Sequence, residues 1–140
     1  MEFWLFKTEP ESWSWEQQKA KGSVGEPWSG VRNHQAANNM KAMKKGDRGF
    51  FYHSGEERRI VGVVEVIGEY RSDSSDESGR FGLVDVKAVA DLPKPVTLES
   101  VKRDLGLVEM VLVKFSRLSV QPVRALEWKR ICQLGGWKGD

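Results

Sequence analysis

The sequence predicts an α+β domain built as a compact mixed barrel, with five or six strands and three or four short helices. Short β-rich segments recur along the chain with brief helical segments between them, and no repeat, long linker or low-complexity segment interrupts them. Strands at such short intervals make a doubly wound parallel sheet improbable. The 140 residues fit one domain, 1–140, with one core, because two cores would leave each half close to the size at which folding is marginal.

An aromatic strand and an amphipathic helix are predicted in the first third of the chain. Residues 3–7 are rich in aromatic side chains, which favour buried strands, and Glu9-Pro10 closes this segment because a residue before proline avoids the helical conformation. Residues 11–21 form a short helix or a turn. Asn33 then caps a helix that Gly46 ends, and its apolar side chains recur at helical spacing. These side chains belong to Ala36, Ala37, Met40 and Met43.

A hairpin is predicted in the middle of the chain, followed by a polar loop. Residues 49–53 and 59–67 are both β-rich, and a short polar turn joins them. Residues 70–80 are polar and rich in structure-breaking residues, which predicts an exposed and mobile loop. A further strand follows at 81–89.

The last third of the chain predicts a strand between two helices. Proline keeps 92–95 extended, and Thr97 caps a short helix that runs to Asp104. Residues 110–115 alternate as a strand. A final helix ends at Gly135-Gly136, and its apolar face carries Ala125, Trp128, Ile131 and Cys132.

Charge is distributed unevenly along the chain, although the net charge is only +2. Residues 65–91 carry seven acidic and three basic side chains, so this region is not expected to contact phosphates. Residues 114–138 carry six basic side chains and one acidic one, and 41–48 hold a second basic cluster. Ordinary solvated helix faces have similar charge, so the charge pattern alone does not indicate nucleic acid.

The cellular setting follows from three features of the sequence. The longest apolar runs fall far short of the ~20 residues that span a bilayer. The first residues lack the basic and apolar regions of a signal peptide, and a single cysteine, Cys132, cannot form an intramolecular disulfide. We therefore expect a monomer that stays inside the cell, in the cytoplasm of a prokaryote or the nucleus of a eukaryote, without membrane contact.

Common catalytic and cofactor motifs are missing from the sequence. It has no phosphate loop and no dinucleotide-binding glycine pattern. His34, His53 and Cys132 lack the spacing of metal ligands, and Cys132 lies on the apolar face of a helix, where a small core residue is expected. The prediction is a protein without catalytic residues, cofactor or metal.

The chain has six tryptophans, and one of them is placed unusually. Trp4 and Trp128 lie in periodic segments, where aromatic residues usually belong to the core. Trp28 lies in a turn close to Arg32 and Asn33. There it suits either a core position or a stacking face beside hydrogen-bond donors.

Four segments, in this order, resemble the EVE domain across essentially the whole chain. This family belongs to the PUA-like group, which also contains the YTH and ASCH domains. The resemblance implies a pseudo-β-barrel with a pocket for a modified base turned out of its stack. That base is 5-methylcytosine or 5-hydroxymethylcytosine in DNA for EVE relatives, and N6-methyladenine in RNA for YTH relatives. The segments are 3–10 (FWLFKTEP), 28–33 (WSGVRN), 51–54 (FYHS) and 117–123 (RLSVQPV).

The resemblance also implies which residues form the site. Trp28 would stack on the base, side-chain amides would read its edge, and a rigid loop at 119–121 would be held by proline. The implied base pocket consists of Trp28, Val31, Asn33, Ser54, Ser119, Val120, Gln121 and Pro122. Lys7, Arg32 and Arg117 are implied to contact phosphates or to brace the pocket.

Two alternatives follow from the same resemblance. One is a YTH-like reader of methylated RNA, although DNA is the preferred partner. The other is an ASCH-like hydrolase, whose lysine, threonine and glutamate match Lys7, Thr8 and Glu9 in residue type. Because side chains alternate along a strand, Lys7 and Glu9 are expected to lie on one face and Thr8 on the other. This arrangement argues against that triad. His34 stands where many relatives have tyrosine, so the identity of the base stays open.

Overall fold

The computed structural model describes residues 1–139 and contains a mixed sheet of six strands. The strand order is β2-β5-β4-β3-β1-β6, and every neighbouring pair is antiparallel except β1 and β3, which are parallel. The sheet is open, with β2 and β6 at its edges. The predicted α+β class and strand number are confirmed. The strands are β1 Phe3–Thr8, β2 Glu26–Pro27, β3 Arg48–His53, β4 Arg59–Ser72, β5 Gly82–Thr97 and β6 Val120–Val123.

Five short α-helices flank the sheet, and two of the predicted caps are confirmed. The Asn33 side chain accepts a hydrogen bond from Ala36 N at 2.9 Å, and Thr97 Oγ1 accepts one from Ser100 N at 3.1 Å. In the described part of the chain, no helix has the length and apolarity needed to span a bilayer. The helices are α1 Trp15–Ala20, α2 His34–Ala42, α3 Leu98–Arg103, α4 Val111–Lys114 and α5 Ala125–Gly135.

The sheet is buried on both faces, so the molecule has two apolar clusters instead of the single core that was expected. Along β1, Trp4 and Phe6 join the cluster that includes residues of α1 and α2, while Leu5 joins the cluster that includes residues of α3, α4 and α5. This alternation follows from the two-residue period of a strand. We call these the α1–α2 face and the α3–α5 face.

Glycines make room for the large rings on the α1–α2 face. The parallel register places Phe6 beside Phe51, and Trp15 lies 5.0 Å from Phe51, measured between ring centroids. A Cβ on Gly62 would lie 2.1 Å from the Trp15 ring, and a Cβ on Gly49 would lie 2.6 Å from the Phe6 ring. The rings of Phe6 and Trp15 can therefore pack in this cluster only if positions 49 and 62 are glycine.

The prediction of a strand at 110–115 was wrong. Residues Val111–Lys114 form a single helical turn, in which Phe115 N donates to Val111 O at 2.8 Å. Met110 and Leu112 are buried on the α3–α5 face. A short apolar run has no clear period, so its local pattern does not separate a strand from a buried helical turn.

Two strands were missed, and one of them replaces a predicted loop. Val120–Val123 pairs with β1, although 119–121 was expected to be a loop held by Pro122. Proline is tolerated here because β6 lies at the sheet edge. The other missed strand, Glu26–Pro27, has only two residues.

We predict that Gly62→Ala destabilises the protein by about 1 to 3 kcal/mol, because the new methyl group would overlap the buried Trp15 ring. Urea unfolding measures this change. The matched control is Gly106→Ala, since a Cβ there meets only the Asp104 carboxylate at 3.2 Å. The control should change the free energy of unfolding by less than about 0.5 kcal/mol. Equal stability of the two variants would contradict the close packing of Trp15 on Gly62.

Candidate functional site

A cavity of about 460 Å³ opens beside the end of β1 and the segment that contains Trp28. We call it the Trp28 cavity. Its wall combines two indoles with backbone groups, hydroxyl groups, one carboxylate and two cationic side chains. The lining residues are Lys7, Thr8, Ser12, Trp13, Glu26, Pro27, Trp28, Ser29, Gly30, Val31, Arg32 and Ser119.

Trp28 belongs to the core and to the cavity wall at once. Its side chain packs edge-on against Phe6 and Phe51, with ring centroids 5.2 and 5.6 Å away, and Trp28 is only 8% exposed. Its backbone N donates to Val84 O at 2.8 Å. The two alternatives that the sequence left open for Trp28 are therefore both realised. The cavity gains a rigid apolar wall.

Asp73 anchors the segment that follows Trp28. Its carboxylate accepts hydrogen bonds from Gly30 N at 2.8 Å, from Arg32 Nη1 at 3.3 Å and from Ser75 N at 2.8 Å. Burial by itself would raise the pKa of Asp73, but the hydrogen bonds from Ser75, Gly30 and Arg32 together outweigh burial and lower that pKa to about 2. The loop predicted to be mobile is thus tied to the cavity wall by a buried carboxylate.

Arg32 braces this connection in the structure. Besides Asp73, its guanidinium donates to Val31 O at 3.0 Å and to Ser75 Oγ at 3.0 Å. The same group lies 5.9 Å from the centroid of the Phe81 ring. Of the two functions that the sequence allowed for Arg32, these contacts favour bracing.

Three further predicted residues, Lys7, Val31 and Ser119, line the Trp28 cavity. The backbone N of Lys7 donates to Ser119 O at 2.8 Å, which joins the ends of β1 and β6. Lys7 Nζ donates to Ser116 O at 2.6 Å, and burial lowers the pKa of the lysine. A partly desolvated ammonium of this kind favours an anionic partner.

Asn33, Ser54 and Arg117 lie outside the Trp28 cavity. Asn33 lines a separate recess beside Phe115, and its side-chain oxygen is engaged in capping α2. Arg117 borders that recess as well, and it also lines a second cavity together with Ser54. The sequence motifs group these residues, whereas the fold distributes them around the 115–119 segment.

Three residues of β6 that the resemblance placed in the base pocket also do not line the Trp28 cavity. Val120 is buried on the α1–α2 face, and its carbonyl accepts from Asn39 Nδ2 at 2.7 Å. Gln121 pairs with Leu5, which places its fully buried side chain on the opposite face, where Nε2 donates to Leu118 O at 2.7 Å. Pro122 is exposed on the edge strand. The alternation of strand residues places only Gln121 on the face opposite Trp28, whereas Val120 shares the Trp28 face and is packed within its apolar cluster.

Sequence reasoning missed Trp13 and Glu26 among the residues of the cavity wall. Trp13 is half-buried, directly precedes the α1 cap Ser14, and donates from Nε1 to Gln18 Oε1 at 2.9 Å. Its position before a capping serine could have indicated a packed side chain. Glu26 forms an ion pair with Lys21 at 3.4 Å. No local pattern indicates its role, because β2 has only two residues.

A second cavity, of about 610 Å³, shares Lys7, Thr8, Ser12 and Ser119 with the first. We call it the basic cavity, because its other lining residues include Arg58, Lys102 and Arg117.

Lys7, Thr8 and Glu9 all line the basic cavity, although Thr8 was expected to leave the face of the other two. The strict alternation ends here because β1 stops at Thr8. The Thr8 hydroxyl donates to the backbone carbonyl of Glu9 at 3.3 Å, so its proton is directed at a weak base.

Metal-binding side chains and the Cys132 thiol are the other groups with potential reactivity. Residues 1–139 contain no group of three or more His, Cys, Asp or Glu side chains placed to hold a metal ion. Cys132 is buried in the α3–α5 cluster, as predicted, and burial raises the pKa of its thiol to about 11, opposed by the charge of Arg48.

Fold and site together define a PUA-like α+β domain with an aromatic-walled polar cavity at one end of an open sheet. Residues 2–134 match the EVE domain family, and the chain belongs to that family. Thymocyte nuclear protein 1 of Gallus gallus is 34% identical, and the match covers 94% of this chain and 67% of that protein.

Two solved structures extend the comparison. Protein Atu2648 from Agrobacterium tumefaciens is 51% identical, with a TM-score of 0.97 over 100% of this chain and 97% of the other. Human THYN1 protein, in complex with 5-methylcytosine-containing DNA, is 31% identical, with a TM-score of 0.90 over 99% and 100% of the two chains. The family and fold expected from the sequence motifs are confirmed.

We predict that the stability contributed by ionised Asp73 is lost in acid. The folded-state pKa, about 2, lies below the ordinary value of 3.8, so the contribution is complete above about pH 4 and disappears as the pH falls towards 2. Asp73→Asn should therefore lower the free energy of unfolding near neutral pH by about 2 kcal/mol, and this deficit should shrink below pH 4.

Urea unfolding of both proteins at several pH values measures this deficit, with Glu77→Gln as an exposed control in the same loop. A deficit that stays constant down to about pH 2 would contradict a stabilising role for the Asp73 charge.

Proposed function

We propose that this protein binds a modified base of DNA, 5-methylcytosine, in the Trp28 cavity, with the base turned out of its stack. The observation that carries this proposal is the whole-length match to human THYN1, whose structure contains 5-methylcytosine DNA, combined with an aromatic-walled cavity in this chain. The match covers 99% of this chain and 100% of the chain in that structure.

The composition of the cavity wall suits a planar base. A flipped base needs an apolar surface for its ring and polar groups for its Watson-Crick edge. Trp13 is half-buried and offers exposed indole surface for stacking, while Trp28 supplies a second aromatic wall that the core holds in place. The volume, about 460 Å³, lies within the range of small-ligand sites, which is about 300 to 1,000 Å³.

Glu26 provides a reason to favour cytosine. A carboxylate accepts hydrogen bonds, and the exocyclic N4 amino group of cytosine donates them. Thymine presents an acceptor, O4, at the same ring position, so its oxygen would face the carboxylate unfavourably. If its carboxylate turns from Lys21, which lies 3.4 Å away, towards the base, Glu26 would favour cytosine over thymine, even though both 5-methylcytosine and thymine carry the C5 methyl group.

The anchored loop supports selective binding. Asp73 holds Gly30 and Arg32 before any ligand arrives, so the cavity loses little conformational entropy on binding. The cost of unstacking the base, a few kcal/mol, is then offset by stacking and edge contacts.

The experiment that tests the proposal measures binding of short duplexes by fluorescence anisotropy. The duplexes contain cytosine, 5-methylcytosine, 5-hydroxymethylcytosine or thymine at one position, and RNA strands with or without N6-methyladenine form a separate series. We expect 5-methylcytosine DNA to bind most tightly. Preference for N6-methyladenine RNA would instead favour a YTH-like reader. Chromatography of the same mixtures after incubation should recover unchanged nucleosides, and any product would favour the hydrolase alternative.

We predict that Trp13→Leu weakens binding of 5-methylcytosine DNA by about 1 to 3 kcal/mol, because leucine keeps apolar volume but removes the stacking surface. Trp13 is a better test than Trp28, whose truncation would also remove a core side chain. The control is Trp137→Leu, since Trp137 lies in a different cavity, beside Trp128 and Cys132. Unchanged affinity in a folded Trp13→Leu variant would contradict stacking on Trp13.

We predict that Glu26→Gln lowers the affinity for 5-methylcytosine DNA about tenfold and raises the relative affinity for thymine. Glutamine loses the charge-assisted hydrogen bond to N4, but its amide can donate to thymine O4. The same anisotropy assay reports the ratio of the two dissociation constants. Glu16→Gln, which alters an exposed carboxylate of α1, should leave that ratio unchanged. An unchanged ratio in Glu26→Gln would exclude Glu26 from base recognition.

A further inference from the structure

The basic cavity collects cations from three separate parts of the chain. Arg58 precedes β4, Lys102 belongs to α3, and Arg117 lies in the segment before β6. The Lys7 side chain lines the same cavity, and Glu9 is the one carboxylate among its lining residues. This concentration of positive charge contrasts with the small net charge of the whole protein.

These cations differ from most others in the molecule because they lack acidic partners. Among residues 1–139, twelve ion pairs lie within 4.0 Å, and none includes Arg58, Lys102 or Arg117. Arg58 and Lys102 also border a recess with three carboxylates, of which Glu57 pairs with Arg59 and Glu99 pairs with Arg103, while Glu56 forms none of these ion pairs. A ligand of the basic cavity would therefore not have to displace an ion pair of Arg58, Lys102 or Arg117.

The backbone holds two of these cations together. Leu98 N donates to Arg58 O at 2.8 Å, which ties the turn before β4 to the first residue of the helix that carries Lys102. Arg58 has a φ of +46°, and it is the one non-glycine residue with a positive φ among residues 1–139. Such a conformation costs about 1 to 3 kcal/mol and is often found at functional sites.

Neutral groups and burial add to the attraction for an anion. The buried Tyr52 lines the cavity beside Ser54, so hydroxyl donors accompany the cations. Burial raises the pKa of Tyr52, and the positive charge of Arg58 opposes that rise. Lys7, partly desolvated, borders both cavities.

We propose that the basic cavity binds the backbone phosphate next to the base that occupies the Trp28 cavity. The two cavities meet at Lys7, Thr8, Ser12 and Ser119, so a nucleotide in the first would direct its phosphate towards the second. Arg58 and Lys102 provide the charge, and Tyr52 and Ser54 provide neutral donors. This inference rests on the proposed function. It adds a sequence-independent contact whose two charged residues, Arg58 and Lys102, lie outside the motifs that identify the family.

The test compares Arg58→Gly and Lys102→Gln, alone and combined, with the parent protein. Glycine removes the charge of Arg58 and also relieves its backbone strain, so this variant should be at least as stable as the parent. Arg103→Gln is the matched control, because Arg103 lies on the same helix but pairs with Glu99 outside the basic cavity. Urea unfolding verifies the fold of each variant.

Affinity for duplex DNA is then measured against salt concentration. Because the cavity would neutralise one phosphate, the combined variant should reduce the slope of log K against log salt by about 0.9, and each single substitution should weaken binding about threefold or more at low salt. Methylated and unmethylated duplexes should lose affinity equally, because a phosphate carries no information about the base. An unchanged slope and affinity in the combined variant would overturn the proposal. A changed slope without preference for methylated DNA would instead overturn base recognition alone.

Replacing one phosphate by an uncharged methylphosphonate identifies which phosphate of the strand the basic cavity binds. Duplexes with a methylphosphonate directly 5′ or 3′ of 5-methylcytosine should show one position at which the parent loses affinity and the combined variant loses much less. Equal losses in both proteins at both positions would overturn the assignment. A second series compares 5-methyldeoxycytidine with its 5′-monophosphate. If the monophosphate gains affinity through Arg58 and Lys102 while both methylphosphonates have no effect, the cavity binds a terminal phosphate, and the proposal of a strand phosphate fails.

Discussion

The packing of Trp28 on Phe6 and Phe51 is the interaction on which the rest of the structure depends. The parallel pairing of β1 with β3 brings the two phenylalanines side by side, and the indole rests against both rings. Because Trp28 also lines the cavity, any shift of the core would move the cavity wall. The same cluster requires glycine at positions 49 and 62, where a side chain would overlap an aromatic ring. The same contacts therefore determine both the stability of the core and the geometry of the cavity.

Asp73 holds the segment that follows Trp28 through hydrogen bonds to its carboxylate. A buried carboxylate is costly unless donors surround it, and here backbone and side-chain donors hold it in its charged form. Through it, a polar loop that has little apolar surface of its own becomes fixed to the segment after Trp28. The acidic charge of this loop is thus used within the protein to brace the site.

Net charge describes the electrostatics of this protein poorly, because its charges are unevenly distributed in the structure. At +2, the chain as a whole exerts little attraction on DNA. The basic cavity nevertheless gathers unpaired cations that are distant in sequence, while most other carboxylates and cations pair with each other. In the proposed complex, position relative to the Trp28 cavity decides which of these charges can act on a nucleotide.

The sequence by itself determined the α+β class, the caps at Asn33 and Thr97, the core positions of Trp4, Trp128 and Cys132, and the family. These features depend on local hydrogen bonds, on periodicity and on short motifs, all of which are contained in neighbouring residues. Only the tertiary structure decided which motif residues meet: it placed Gln121 behind the sheet, made α4 a helical turn, and brought Trp13, Glu26 and Arg58 to the two cavities. Strand register and long-range contacts fix those positions, because side chains alternate between the faces of a strand and a single step of register exchanges one face for the other.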